Sequence, residues 1–326
     1  MKHKLFIITG PTASGKTATS VSAARLMNAE IISADAIQLY KKLDIGSAKP
    51  TEEERRGIVH HMMDCIEPDE PRFTVSRFRD GAIEAANGII ANGKRPLVVG
   101  GTGLYINALT YPLTFSQIAP DDELRAELME KEQTEKGALH KMLAELDAKT
   151  AERLHPNDTK RIVRALEICI KSGKKASEQG EGFTYRNDGA LEFTPVMAGI
   201  TMPRDMLYAR IEKRVDDMFN AGLVDEVRDL LSRGCTRDLP AMQGLGYKET
   251  IAYIMSECTL DEAKETIKRE TRRFAKRQLT WFRREERIRW FDATEYGCAE
   301  ELGKAIAEHF LTQEEQNGSY TRQFAG

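Results

Sequence analysis

The sequence predicts an α/β protein: a parallel-sheet core that opens with a phosphate-binding loop and is interrupted by a run of helices. Three observations carry this expectation. Short β-branched apolar runs alternate with helical patterns over the N-terminal part of the chain, as a parallel sheet requires. A G-x-x-x-x-G-K-[ST] pattern stands between the first apolar run and the first helical one. From about Pro120 to Lys175 the patterns are helical only.

Taken in order, Leu5 to Thr9 reads as a buried strand ending at Gly10, and Thr17 to Met27 as a helix. Glu30 to Ala34 is a second strand with Asp35 at its C-terminal end. Phe73 to Ala91 is helical and stops near Gly93; Pro96 to Gly100 is a strand broken by Gly101, Thr102 and Gly103. Asp121 to Gln133, Gly137 to Leu146 and Thr159 to Ser172 are charged amphipathic helices, and Gly180 to Gly189 is a polar loop. Thr194 to Ile200 returns as a strand, Arg204 to Arg233 and Leu260 to Arg284 are helical, and Ile288 to Asp292 is a final strand. The expected organisation is therefore a core begun by residues 1–114, a helical insertion over 115–190, core completion with basic C-terminal helices over 191–312, and a disordered tail over 313–326.

The bulk numbers bound the function. The chain has 326 residues, enough for about two domains. Its net charge is −3, yet Lys264 to Arg289 holds 11 Lys/Arg against 4 Asp/Glu, a basic island on an acidic protein. That asymmetry points to a polyanion partner at one place. Cys65, Cys169, Cys235, Cys258 and Cys298 are scattered and odd in number, which argues against a disulfide framework or zinc site and for a reducing cytoplasm. His60 and His61 are adjacent and so point different ways on a regular element. No stretch approaches the ~20 apolar residues that cross a bilayer. Nothing in the sequence demands a dimer, so a monomer is expected.

Gly10, Pro11, Thr12, Ala13, Ser14, Gly15, Lys16 and Thr17 make the complete phosphate-loop pattern, after a strand and before a helix, where it must sit. Glycines let backbone amides turn onto phosphate oxygens, and the helix N-terminus adds about half a positive charge. Lys16 supplies a mobile cation, and the Thr17 hydroxyl can ligate Mg²⁺. The core is thus P-loop NTPase-like. A nucleotide hydrolase of this kind usually ends a buried strand in an Asp that holds Mg²⁺, but here the strand runs into Gly100, Gly101 and Thr102. Asp35 lies 18 residues after Thr17 at the end of the second strand, facing the same cleft, where a carboxylate could bind Mg²⁺ or accept a proton.

Several blocks follow one another in a specific order. They are the loop Gly10–Thr17; Ser33-Ala-Asp35 with Gln38 and Tyr40; Asp44 to Pro50; His60-His61 with Asp64; Gly100 to Tyr105; His155 to Asp158 with Arg161 to Glu167; Gly244 to Tyr247; and Ala275 to Arg283. In this order, from Leu5 to about Trp290, the chain resembles the tRNA dimethylallyltransferases (isopentenyl transferases). The resemblance implies that the loop and Arg214 grip the diphosphate of dimethylallyl diphosphate and that Asp35 is the general base on an adenosine N6. It implies tRNA contacts from Asp35, Ala36, Ile37 and Gln38, from Thr102 and Arg125, from Lys160, Arg161, Ile162, Val163 and Arg164, and from Gln243, Gly244, Leu245, Gly246, Tyr247 and Lys248. The resemblance further implies that the RNA is a tRNA anticodon stem-loop and the target the adenosine just 3′ of the anticodon. The family usually has Ser after the base Asp; Ala36 stands here and cannot make the contact of that hydroxyl.

Elementary chemistry agrees. Arg210 and Arg214 share a helix face and can bind a diphosphate together. Lys160, Arg161 and Arg164 lie on one helix whose apolar positions Ile162, Leu166 and Ile170 recur every four residues. The basic island carries Phe274, Trp281 and Phe282, a mixture suited to RNA although such aromatics also serve as core. Catalysis would then need Lys16, Arg214, Thr17 with Mg²⁺ and the loop amides to stabilise the departing diphosphate, and Asp35 to take the proton. Two alternatives share the loop: a small-molecule kinase, and an RNA-binding switch driven by a nucleotide.

Overall fold

In a computed structural model of the chain, residues 2–70, 73–113, 118–178 and 191–322 are described, with side chains to residue 315. They divide into two compact units, Met1–Thr110 with Leu191–Gly326, and Tyr111–Ala190. The first unit opens with β1 (Lys4–Thr9), α1 (Lys16–Met27), β2 (Ala29–Ser33), α2 (Glu52–Arg55), β3 (His60–His61), α3 (Val75–Ala91), β4 (Arg95–Gly100) and α4 (Gly103–Thr110). The second holds α5 (Asp122–Thr134), α6 (Ala138–Leu146), α7 (Ala148–Arg153) and α8 (Thr159–Ser172). The first then resumes with β5 (Thr194–Thr201), α9 (Arg204–Asn220), α10 (Leu223–Ser232), α11 (Tyr247–Ile254), α12 (Leu260–Phe282), β6 (Ile288–Asp292) and α13 (Ala299–Arg322).

The strands form one parallel sheet in the order β3-β2-β4-β1-β5-β6. Alternation along β1 shows why helices must cover both faces. Leu5 and Ile7 enter one core with Phe78, Leu223 and Ile251, while Phe6 and Ile8 enter the other with Val21, Ile306 and Phe310. Each of the four is no more than 1% exposed, so each is worth roughly 1.5–3 kcal/mol of burial. β2 and β4 lie on one side of β1 and β5 on the other, so the direction of winding reverses beside β1. Ligand clefts form there, beyond the C-terminal strand ends.

The elements differ from the sequence reading in instructive places. α4 follows directly on the Gly101–Gly103 break; its residues Tyr105, Ile106, Ala108 and Leu109 are all buried, so it has no polar face to give a period. β3 is two residues long and α7 six, too short for any pattern. The helical stretch after Pro203 splits at Gly222, whose φ of +100° ends one helix and starts the next. Of the tail expected to be disordered over 313–326, residues 313–322 continue α13 to Arg322, and 323–326 lie outside the described residues. Gln and Glu are good helix formers, and Glu314 accepts a 2.9 Å bond from Arg95 Nε. The polar loop expected over Gly180 to Gly189 lies outside the described residues.

The helical unit has its own core of Leu128, Leu139, Leu143, Ile162, Leu166 and neighbours. Within it Glu167 is fully buried and held by Arg125 (2.9 Å to each oxygen), Arg164 and the Asp121 amide. Asp147 caps α7. Burial pushes its carboxyl up, but bonds from Thr150 and Ser177 outweigh that and hold it at about 2.

Candidate active site

The loops after β1, β2 and β4 converge because their strand ends are tied together. Thr9 Oγ1 donates to Gly100 O (3.0 Å), and the Thr102 and Ala34 amides join the ends of β4 and β2, Thr102 N to Ala34 O (3.2 Å) and Ala34 N to Val99 O (2.8 Å). Gly15, at φ +92°, turns the chain into α1. The first bond of that turn runs from Thr19 N to Gly15 O, so the amides of Lys16, Thr17 and Ala18 precede the helical ladder. With the helix dipole they form an anion site. Ser14 Oγ is buried there without a hydrogen-bond partner, one of two such side-chain atoms among the described residues. A phosphate oxygen is the group that would satisfy it.

A cleft of about 310 Å³ opens over this loop, lined also by Asp35, Gln38, Arg214 and Phe274. Lys16 Nζ donates to Gly10 O (3.0 Å) and Pro11 O (2.7 Å). Burial first, and the nearby charge of Arg214 second, lower its amine to about 7; Asp35 opposes them. Burial likewise lowers Arg214, against the pull of Asp35 and Glu54. Arg214 has no hydrogen-bond or ion-pair partner among the described residues, and a Cβ on Gly15 would lie 3.5 Å from the Arg210 guanidinium. Both arginines of α9 therefore flank the loop, as their spacing on one face required. The site concentrates positive charge that the protein itself leaves poorly neutralised, which suits a polyphosphate.

Asp35 sits just past β2 and uses one oxygen to hold its own loop: Oδ1 accepts from Ile37 N (2.9 Å) and Gln38 N (3.3 Å). Its second oxygen has no such partner among the described residues. Thr102 Oγ1 accepts from Ala36 N (3.2 Å), so Thr102 supports this loop from the end of β4. Gln38 Oε1 accepts from Ser33 Oγ (3.0 Å), and its Nε2 donates to Ser47 O and Ala48 O (3.4 and 3.3 Å).

The segment from Gln243 to Lys248 meets the Asp35 loop, since Ile37 Cδ1 lies 3.1 Å from where a Gly244 Cβ would be. Gln243 and Lys248 are exposed and Leu245 half-buried; Gly246 starts α11. Tyr247 is fully buried, seated on Gly46, where a Cβ would come within 2.5 Å of its ring, so its place is structural. Its hydroxyl donates to Glu226 (2.7 Å), which also accepts from the amides of Asp44, Ile45 and Gly46 (3.0, 2.7 and 3.1 Å). On the helical unit, Lys160 and Arg161 are exposed, whereas the side chains of Ile162 and Val163 are buried in its core. Arg125 and Arg164 face buried Glu167. Ile170, expected inward, is 42% exposed: three residues four apart drift around a helix, and Val163, Ala165 and Cys169 take the inner places.

Among the residues of the site that escaped the residue-by-residue reading are Glu226, which holds the Asp44–Gly46 turn, and Glu54, Arg56, Phe274 and Gln278, which line the cleft. Gln278 alone left a trace, a polar residue on the apolar stripe of α12 between Ala275 and Phe282. Phe282 is core, while Phe274 is 37% exposed. His60 and His61 diverge, to Ile58 O and to Glu30, and no group of three metal-ligating acids, histidines or cysteines exists among the described residues. The end of β4 carries no acid.

The fold and cleft define a phosphate-loop α/β protein that sets a carboxylate beside its anion site. A family model described as IPP transferase matches residues 38–285, and one described as isopentenyl transferase matches residues 3–65. The tRNA dimethylallyltransferase of Alkaliphilus oremlandii is 45% identical over 312 residues, 95% of this chain and 98% of that protein. That of Acetivibrio thermocellus is 47% identical, over 94% of this chain and 97% of the relative. Among solved structures, the full-length tRNA isopentenylpyrophosphate transferase of Bacillus halodurans matches with a TM-score of 0.72 and 40% identity, covering 99% of this chain and all of that one. A eukaryotic dimethylallyltransferase, solved acting on tRNA, matches with a TM-score of 0.79 and 27% identity, over 95% of this chain and 80% of its own. The chain belongs to the tRNA dimethylallyltransferase family, a family of prenyltransferases. These matches support neither the kinase nor the nucleotide switch.

Proposed function

We propose that this chain transfers a dimethylallyl group from dimethylallyl diphosphate to N6 of the adenosine 3′ of the anticodon in tRNA, releasing diphosphate. The observation that carries the reading is one cleft holding a phosphate loop, two cations with little protein charge to neutralise them, and a carboxylate with a spare oxygen. The amino nitrogen attacks the allylic C1, the C1–O bond breaks, and the electron pair leaves with the diphosphate. Lys16, Arg214 and the amides of Lys16, Thr17 and Ala18 stabilise that departing charge. Asp35 takes the proton from N6, its orientation fixed by the two amides on its other oxygen.

Mg²⁺ fits this arrangement in a limited way. The protein offers the Thr17 hydroxyl and, among the described residues, no cluster of three acids, which suits an ion that keeps waters and takes most ligands from substrate phosphates. Bound there, it would supply further charge to the diphosphate oxygens. RNA would be held by the exposed groups Gln243, Lys248, Lys160 and Arg161 and by the cationic face of α12, with the adenine turned out of its stack to enter the cleft. None of the five cysteines is in a disulfide among the described residues, which accords with a reducing cytoplasm, and no described helix is long and apolar enough to cross a membrane. The reading includes a monomer.

Incubation with Mg²⁺, labelled dimethylallyl diphosphate and unmodified tRNA, followed by digestion to nucleosides, tests it. Label in N6-dimethylallyl adenosine is expected. An RNA without label, from a protein that phosphorylates a small acceptor with ATP, would replace this reading with the kinase.

A further inference from the structure

We propose that Gln278 is a positioning residue that couples the two substrate sites, tying the RNA-facing helix α12 to the diphosphate loop; this rests on the reading that α12 meets RNA. Gln278 lies on the inner stripe of α12 with Ala275 and Phe282, and is only 7% exposed. An apolar residue would serve packing there. Instead both ends of the amide are used across the fold. Thr12 N donates to its Oε1 (2.8 Å), and its Nε2 donates to Gly101 O (2.9 Å). The first partner belongs to the turn after β1 and the second to the turn after β4, so one side chain pins both. Gly101 has to be glycine for this, because a Cβ there would stand 2.3 Å from Nε2.

The tie acts on a sensitive point. Thr12 precedes Ala13, a non-glycine residue at φ +62°, in the left-handed region that a β-carbon disfavours. Ala13 packs in one cluster with Ala275 and Leu279 of the same helix. A small movement of α12 is therefore transmitted to the turn that sets Ser14 to Thr17.

The other side of α12 and its C-terminal extension carry Lys276, Arg277, Arg283 and Arg284, all exposed and none in an ion pair among the described residues. Nearer the N-terminus of the helix, Lys268, Arg272 and Arg273 are paired to acids instead. Arg277 lies over the Phe274 ring, 5.9 Å from its centre, and Phe274 lines the cleft. The unpaired cations thus sit on the part of the helix whose inner side bears Gln278. Phosphates binding the outer face fix the helix, and through Gln278 they fix the loop. Linkage makes the effect mutual: each ligand tightens the other by the same factor.

The test uses the full-length protein, inorganic diphosphate with Mg²⁺, and an unmodified anticodon stem-loop RNA, so that no reaction occurs. Titration calorimetry gives each affinity alone and in the presence of the other ligand. The wild type is expected to show mutual tightening of about fivefold or more, the lower end of common coupling factors. In Gln278→Met, which keeps the length and removes both hydrogen bonds, the coupling factor is expected to fall towards one, whatever the change in the affinity of each ligand alone. Gln278→Glu keeps the acceptor for Thr12 N and loses the donor to Gly101 O; its coupling should fall between the two. If Gln278→Met does not fold, Gln278→Glu and Gly101→Ala, which displaces the amide from the other side, decide the question. Unchanged coupling in the folded variants, or a wild type that binds both ligands independently, overturns the proposal and leaves the prenyl-transfer reading standing. A wild type that does not bind RNA removes that reading, and the proposal with it.

Discussion

Diphosphate binding should draw a proton from solution above neutral pH, and the lysine of the loop fixes how much. Lys16 is lowered to about 7 by burial and by Arg214. At pH 8 roughly nine-tenths of it is then neutral, and at pH 6 roughly one-tenth. An arriving diphosphate supplies the negative charge that burial denied and Arg214 opposed, and so restores the ammonium. Relative to Lys16→Met, in which only the ionisation of diphosphate itself remains, binding should take up close to one proton more at pH 8 and little more at pH 6, and the advantage in affinity that Lys16 gives should fall up to tenfold per pH unit above 7. The same shift affects the free protein. An unfolded lysine keeps its proton up to its ordinary value of 10.5, so between about 7 and 10.5 the unfolded chain binds more protons. The contribution of Lys16 to stability therefore becomes less unfavourable as pH rises through that window. Calorimetry of inorganic diphosphate binding in two pH 8 buffers of different ionisation enthalpy reads the proton directly. A proton exchange that is the same in wild type and Lys16→Met would refute the argument.

Three further outcomes are expected. Asp35→Asn should lower kcat by about 10²–10⁴ while the Kd for tRNA measured by filter binding changes little; equal losses in both would remove the general-base role. Glu226→Ala leaves three loop amides and the Tyr247 hydroxyl without their acceptor, a loss of about 3–5 kcal/mol, read as a thermal midpoint lower by several degrees; an unchanged midpoint would show that water replaces the carboxylate. Replacing Lys276, Arg277, Arg283 and Arg284 by Gln should flatten the salt dependence of tRNA binding by about one unit of slope for each phosphate no longer engaged, while diphosphate affinity without RNA stays nearly constant; an unchanged slope would place the RNA elsewhere.

What could be read from the sequence follows from how local the cause was. β1, the phosphate loop and α1 are specified by adjacent residues, and the structure puts Lys16, Thr17 and Asp35 on one cleft from them. Arg210 and Arg214 needed only the helical repeat. Glu226 was illegible because its meaning lies in the amides of Asp44 to Gly46 and in Tyr247, on other elements. Gln278 is similar: its partners Thr12 and Gly101 belong to turns far along the chain. Ile162 and Val163 show the opposite case, since a block of residues shared with a family takes in side chains that the structure buries in the helical unit's core. Charge alone misled in part of the basic island, where Arg272 and Lys268 already answer to Glu212 and Asp216 of α9.

The pairing of α13 with α1 has a consequence for synthesis. The phosphate-loop helix buries its outer side, with Phe6 and Val21, in a cluster to which α13 brings Leu302, Ile306 and Phe310, and Phe6 meets the Phe310 ring at 5.2 Å. β1 likewise acquires its neighbour β5 only after the helical unit has been made. On the ribosome, at roughly 5–20 residues per second, the N-terminal strand and loop must therefore wait many seconds with one apolar side bare. For that interval the bare side is apolar surface of the kind that makes unfinished chains prone to aggregate. A stop codon before Ala299 would release a protein that has every residue of the cleft and lacks the cover for the helix beneath it.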